Sequence, residues 1–384
     1  MEGLNGMKRF RRAALSGLVA LGMLAMVPAA VFAAQPSCGD TLTANTTLTA
    51  DLDCSGYAGD ALVFGKGGIT LNLNGHTIWG PAAQDNYDGV ETDGYNHVTV
   101  TNGTIANFTY GVDNSGSSSS SFTWLTITGE LADTSDYGIY QSYGAGNTYR
   151  HLHVTGEDIG VYLEYGASDV IRNNAVAGAS EDFYFYYEST DVIGSNVANG
   201  DTYGFYDYYG AHNRYTSNKA NGHSSEGFYL YCDDFGYVVL RNNIANGNGG
   251  DGFYLYYCYD DNNEAHGSSI TGNTAKNNGA SGFDDFYSLN SNWTHNFAKG
   301  NTDDGFYFDY PGVDTIRYNL STWNGDDGFD LVDADGAGYD GPADLSFNTA
   351  RHNTSYGFTS DYGVPGEGNI AQNNGTNCYD VVCN

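Results

Sequence analysis

Apolar and polar residues alternate in short bursts along this chain, and each burst follows a glycine. The glycines are Gly89, Gly111, Gly138, Gly160, Gly204, Gly227, Gly252, Gly282, Gly305, Gly328 and Gly357. Asp182 stands in the one slot without a glycine, and successive slots lie 22 to 30 residues apart. One residue on come Val90, Val112, Ile139, Val161, Phe183, Phe205, Phe228, Phe253, Phe283, Phe306, Phe329 and Phe358. Three residues on come Leu163, Phe185, Leu230, Leu255, Phe308 and Leu331. A strand turns alternate side chains to opposite faces, so these two columns predict a core and the residues between them predict an outer face. Tyr140, Tyr162, Tyr184, Tyr206, Tyr229, Tyr254 and Tyr307 hold the second position. Tyr186, Tyr208, Tyr231, Tyr256 and Phe286 hold the fourth, and a further tyrosine column starts at Tyr143 on the fifth. No stretch after residue 34 has a helical period.

A second ladder runs in phase. Asn-x-Ala/Ser recurs at Asn173, Asn196, Asn218, Asn243, Asn273, Asn296, Asn319, Asn348 and Asn369. Asparagine tolerates the left-handed backbone of tight turns and can hydrogen-bond along a stack. Repeats of this length mean stacked units, each too small to bury its own apolar face.

Short strands, inward aliphatic or aromatic stacks and Asn turns in a coil of about 22 residues resemble the right-handed parallel β-helix. The opening, from Cys38-Gly39-Asp40 through Asp51-Leu52-Asp53-Cys54 to Ile69–Ile78, looks like the entry coils of secreted β-helix-repeat proteins. The Asn-rich end closed by Cys378 and Cys383 looks like their exit. The resemblance implies an all-β fold: a right-handed parallel β-helix (solenoid) of about a dozen coils. Residues 35–60 form an N-terminal cap in this reading, and 61–384 form the helix. That superfamily holds pectate lyases, uronan epimerases, maturation proteins and non-catalytic surface proteins, so the fold alone leaves the activity open.

Residues 1–34 read as a secretory signal. Lys8, Arg9, Arg11 and Arg12 precede an apolar run from Ala13 to Val31, and Ala33 and Ala34 suit cleavage. No later segment is apolar enough to span a bilayer, so a secreted or cell-surface location is expected. The rest of the chain carries 10 Lys+Arg against 45 Asp+Glu. Without a basic stripe, nucleic acid is excluded as an expected partner. Six cysteines in an exported chain predict disulfides. Cys38 and Cys54 bracket the entry, Cys378 and Cys383 the exit, and Cys232 and Cys258 sit at matching places in consecutive repeats.

Two coils are long, with acidic extra residues: Asp260, Asp261 and Glu264 in one, Asp333, Asp335, Asp340 and Asp344 in the other. Asn324-Gly325-Asp326-Asp327-Gly328-Phe329-Asp330 sets three carboxylates at D-D-x-x-D spacing, and Asp303-Asp304 lies one coil earlier. Hard oxygen ligands from adjacent coils suit Ca²⁺, and Asp303, Asp326, Asp327 and Asp330 are the candidate ligands. The group is similar to the calcium site of family 9 pectate lyases. There the resemblance implies Ca²⁺ acidifying a uronate and a lysine as base. Here the last lysine is Lys299, before the motif, leaving Arg317 and Arg351 as the nearby bases; arginine is a poor one. An acidic turn without metal fits the same residues.

The outward tyrosines predict an aromatic platform for sugar rings. Tyr184, Tyr206, Tyr229, Tyr254 and Tyr307, with Tyr208, Tyr231 and Tyr256, are the candidate substrate-binding residues. The expected function is extracellular polysaccharide binding along this face, with calcium-dependent lyase or epimerase chemistry as its catalytic form. The competing class is a non-catalytic surface protein that uses the tyrosines for assembly, adhesion or oligomer formation. The nine histidines do not cluster.

Overall fold

The computed structural model describes residues 35–81, 86–129, 136–232, 236–259, 267–287, 289–333 and 342–384. Most of the two coil insertions, including Asp260, Asp261, Glu264, Asp335 and Asp340, lies outside these. The body of residues 35–384 is an all-β parallel solenoid of about 14 turns, with no helix among the described residues. Each coil lays down three strands. In one coil they are Phe253–Tyr256, Ser269–Thr271 and Thr274–Lys276. Each pairs in parallel with its equivalent one coil on: Phe253 with Phe283, Ser269 with Asn292, Thr274 with Phe297. Asp40–Leu42 already pairs with Leu62–Phe64, so the segment expected to cap the stack also starts its first face.

The alternation after each glycine holds. Phe183, Phe205, Phe228, Phe253, Phe283, Phe306, Phe329 and Phe358 are all fully buried. They form one column, with ring centroids 4.7 to 4.9 Å apart and planes within 12°. Strand spacing sets that separation, so identical residues in identical slots must stack. The Asn ladder occupies an inner corner, where each backbone N–H donates to the next Asn Oδ1 at 2.8 to 3.0 Å. In the first of these coils the ladder residue is Asn174. Asn173 instead takes the left-handed turn, at φ 57°. A further ladder, Asn248, Asn278, Asn301, Asn324, Asn353 and Asn374, lines another corner in the same way. Both ladders satisfy turn amides that would otherwise be buried without partners.

Disulfides join Cys38 to Cys54, Cys232 to Cys258 and Cys378 to Cys383. The Cys232–Cys258 bond ties neighbouring coils together at the end of the first face.

Candidate functional site

The outer face of the first sheet carries the candidate chemistry. Its second-position column runs Glu91, Asp113, Tyr140, Tyr162, Tyr184, Tyr206, Tyr229, Tyr254, Asp284, Tyr307, Asp330. Its middle is aromatic and both ends are acidic. The tyrosines point outward and are half-buried by one another.

The rings do not form a flat floor. Tyr206 stacks on Tyr229 with centroids 4.7 Å apart and planes at 10°, and Tyr140 on Tyr162 at 11°. Rings stacked along the axis spend their faces on each other and offer edges and hydroxyls outward. Two rings break this pattern. Tyr184 is turned 79° from Tyr162 and 87° from Tyr206. Tyr231 is turned 85° from Tyr208 and 81° from Tyr256. Neither is stacked face to face within its own column.

The fifth-position tyrosines turn the corner at the end of the strand with left-handed backbone, Tyr209 within an irregular strand end. Tyr143, Tyr165, Tyr187, Tyr209, Tyr257, Tyr287 and Tyr310 all have φ between 50° and 62°. That backbone is unfavourable for a bulky residue. Ring stacking accompanies it, at 4.7 Å for Tyr187–Tyr209 and 4.4 Å for Tyr287–Tyr310.

At the acidic end, one oxygen each from Asp304, Asp326 and Asp327 lies within 4.8 Å of the other two. Oxygens around a Ca²⁺ at about 2.3–2.6 Å are separated by up to roughly twice that distance, so the group fits such an ion. Asp304 Oδ1 also accepts the Asp327 backbone N–H at 2.8 Å, and Asp327 Oδ1 that of Tyr356 at 2.6 Å. Asp304, rather than Asp303, joins the pair from the next coil; Asp303 is exposed. Asp330 adjoins them. Burial first, then Asp327, pushes its carboxyl up to about 7. Burial likewise raises Asp304 to about 8. Asp284, pressed by burial and then by Asp309, rises to about 7. Asp251, raised by burial and then by Asp284, reaches about 8.

The sequence pattern does not single out Asp251 or Asp284, and it presents Asp304 only as the neighbour of Asp303. Asp284 shows in the sequence as a break in the tyrosine column, and Asp251 and Asp304 share the slot just before the glycine.

The two arginines are elsewhere. Arg317 ends a strand of the second face and pairs with Asp344, beside Ser346, Phe347 and Glu367. Arg351 ends a strand of the third face, exposed, with no ion pair among the described residues.

The family model for the right handed beta helix region matches residues 88–244 and 146–275. With the coil geometry above, this makes the chain a right-handed parallel β-helix protein. No curated protein matches it in sequence. Among solved structures, the Azotobacter vinelandii mannuronan C-5 epimerase AlgE6 A-module is similar over 90% of this chain and 91% of its own, at 16% identity and a TM-score of 0.50. The catalytic unit of the thermostable GH87 alpha-1,3-glucanase from Streptomyces thermodiastaticus strain HF3-3 is similar over 79% of this chain and 63% of its own, at 12% identity and a TM-score of 0.56. At such identities the likeness speaks for the fold.

Proposed function

We propose that this is an exported protein that binds an extended polysaccharide along the first face and acts on it at the acidic end. The observation that carries this reading is the single outward column in which tyrosines from Tyr140 to Tyr254 give way to Asp284, Tyr307 and Asp330. A linear polymer laid along the axis meets phenol hydroxyls and ring edges first and carboxyls next. Tyr184 and Tyr231 are the rings placed to take a sugar's C–H face. Asp284 and Asp330, with carboxyls near 7, exchange protons at neutral pH, as general acid–base work requires. Two measured similarities are to proteins whose names are those of polysaccharide-acting enzymes, an epimerase and a glucanase. Three disulfides fit an oxidising compartment.

Calcium belongs to this reading at Asp304, Asp326 and Asp327, with Asp330 beside them. When bound, it would offset the clustered charge and bridge an anionic sugar to an anionic face. Isothermal titration should find a micromolar to millimolar site, the usual range for modest oxygen cages. Asp304→Asn with Asp326→Asn should remove it. If the double variant binds calcium as the parent does, the site is not there.

The binding claim is tested with pectate, alginate, cellulose and α-1,3-glucan. Tyr184→Ser with Tyr231→Ser should weaken binding to the preferred polymer by about fivefold to a hundredfold, since each ring contact is worth roughly 0.5–1.5 kcal/mol. Unchanged circular dichroism would show the fold intact. No binding to any of the four, together with a defined oligomer by light scattering, would assign the tyrosines to assembly instead.

A further inference from the structure

A second acidic group lies inside the solenoid, where no solvent reaches. Beside the inward column Tyr149, Ile171, Ile193 and Tyr215, the interior also holds buried acids. Asp169, Glu188 and Asp191 are each 0% exposed, and one oxygen from each lies within 4.8 Å of the other two. Asp207, one coil on and also buried, completes four carboxylates in consecutive coils. Among the described residues the ion pairs involve none of them.

Their hydrogen bonds show what is missing. Asp169 is satisfied at both oxygens, by Gln141 Nε2 and the Asn147 backbone N–H, each at 2.6 Å. Glu188 Oε1 accepts the Gly166 N–H at 2.8 Å, and Asp191 Oδ1 accepts that of Asp169 at 2.8 Å. Asp207 Oδ2 accepts from Asn213 Nδ2 at 3.0 Å and from the Tyr215 hydroxyl at 2.8 Å. The remaining oxygens, Glu188 Oε2, Asp191 Oδ2 and Asp207 Oδ1, receive no donor from the surrounding protein, and Glu188 and Asp191 lie within hydrogen-bond reach of each other. Each comes from a different carboxylate, and the charge of Asp207 is felt at Asp191. A buried charge without a partner costs several kcal/mol. A single proton can be shared between Glu188 and Asp191, but it leaves Asp169 and Asp207 as they were. One hard cation can meet an oxygen from each of Asp169, Glu188 and Asp191, which lie within 4.8 Å of one another.

Room for the cage is built into the coil corners. The slot after the corner tyrosine is Gly144, Gly166, Glu188, Gly210 in four successive coils. A Cβ at Gly166 would come within 2.7 Å of Glu188 Oε1, and one at Gly210 would overlap the Asp207 carboxylate. The two glycines therefore leave space for the carboxylates beside them.

We propose that Asp169, Glu188 and Asp191, with Asp207 one coil on, enclose one Ca²⁺ ion in the interior, trapped as the coils close. The separation of the ligand oxygens matches a Ca²⁺–oxygen distance of about 2.3–2.6 Å, and four carboxylates call for a divalent ion. This site is independent of the outer aspartates and of any glycan.

Native mass spectrometry and elemental analysis of the whole protein after exhaustive EDTA dialysis should find one calcium per chain retained, because no solvent path reaches it. Asp326→Asn should keep that ion. Unfolding and refolding in EDTA should release it and lower the melting temperature by about 10 °C relative to refolding in calcium. Saturation at roughly a thousand times Kd gives a shift of that order in a large domain. Glu188→Gln should lose the retained ion and the calcium dependence together. Two results overturn the proposal. One is no retained ion in the parent, with equal melting after refolding in EDTA or calcium. The other is a Glu188→Gln protein that melts higher than the parent, the signature of carboxyls sharing protons.

Discussion

Gly252→Ala is expected to lower the melting temperature by about 2–5 °C, although it adds one methyl group to a small residue. The repeated glycine is not there for an unusual φ. Its inward position faces the neighbouring coil at contact distance. A Cβ at Gly252 would lie 2.6 Å from the Gly282 carbonyl oxygen, 2.7 Å from Asn278 Nδ2 and 2.8 Å from the Ala275 Cβ. The first is backbone, and the second is held in the Asn ladder by its bond to Asn301 Oδ1. Neither can yield without moving a coil. Overpacking of this kind costs about 1–3 kcal/mol, and a chain of this size converts that cost into a few degrees. The same clash with the next coil's carbonyl recurs at Gly227, Gly282 and Gly305. Gly56→Ala is the control, since nothing lies within 4 Å of its added Cβ. Thermal unfolding followed by circular dichroism decides it. Equal melting of the two variants would show that the coils adjust freely and that the column has another cause.

That clash also explains how much could be read from the chain. A slot that tolerates one residue type writes itself into the sequence at every turn, and so the glycine and phenylalanine columns gave the fold, the register and the outward tyrosines. The interior acids were less legible for a physical reason. A column is recognised by its majority, and Asp207 and Asp285 occupy the same inward slot as Leu230 and Leu255. Reading that slot as apolar passes over them. Asn173 and Asn174 illustrate the limit at one residue: both fit Asn-rich turns, and only the hydrogen bond to Asn196 selects Asn174. The left-handed tyrosines misled in another way. Position predicts a strand residue and backbone energetics predict glycine, yet tyrosine stands there because the corners stack ring upon ring. At the outer acidic end, Asp326 and Asp327 group with Asp304 rather than with Asp303, and Asp330 lies near them. The arginines are directed elsewhere by strand membership, which spacing alone does not reveal.

Freed of divalent ions, the protein is expected to lose stability as pH rises from about 4 to 8, the reverse of ordinary acid denaturation. The sign follows from the carboxyls. Burial leads the causes that raise Asp207 to about 7, Asp251, Asp304 and Asp88 to about 8, and Asp284 and Asp330 to about 7. In the unfolded chain these groups titrate near 4. Between the two values the folded state binds more protons than the unfolded one, so unfolding free energy falls with rising pH. The contribution is whole below about pH 4 and is lost through pH 7–8. Asp207, enclosed on all sides, sets the scale. Three units are worth roughly 4 kcal/mol as an upper bound, while the outer groups count for less because solvent screens them. His223 acts the other way: burial lowers its pKa, so its share is lost as pH falls through the unfolded value near 6.5. One histidine does not balance six acids. Melting of protein unfolded and refolded in EDTA, which releases the interior ion as well, should therefore fall by about 5 °C or more between about pH 5 and pH 8. Calcium at millimolar concentration should recover most of that loss, because a cation stabilises the ionised carboxylates that protons otherwise neutralise. A melting temperature that is flat or rising over this window in EDTA would mean that the acids are ionised and partnered in the folded chain. Both acidic groups would then have to be reassigned as self-sufficient hydrogen-bond networks.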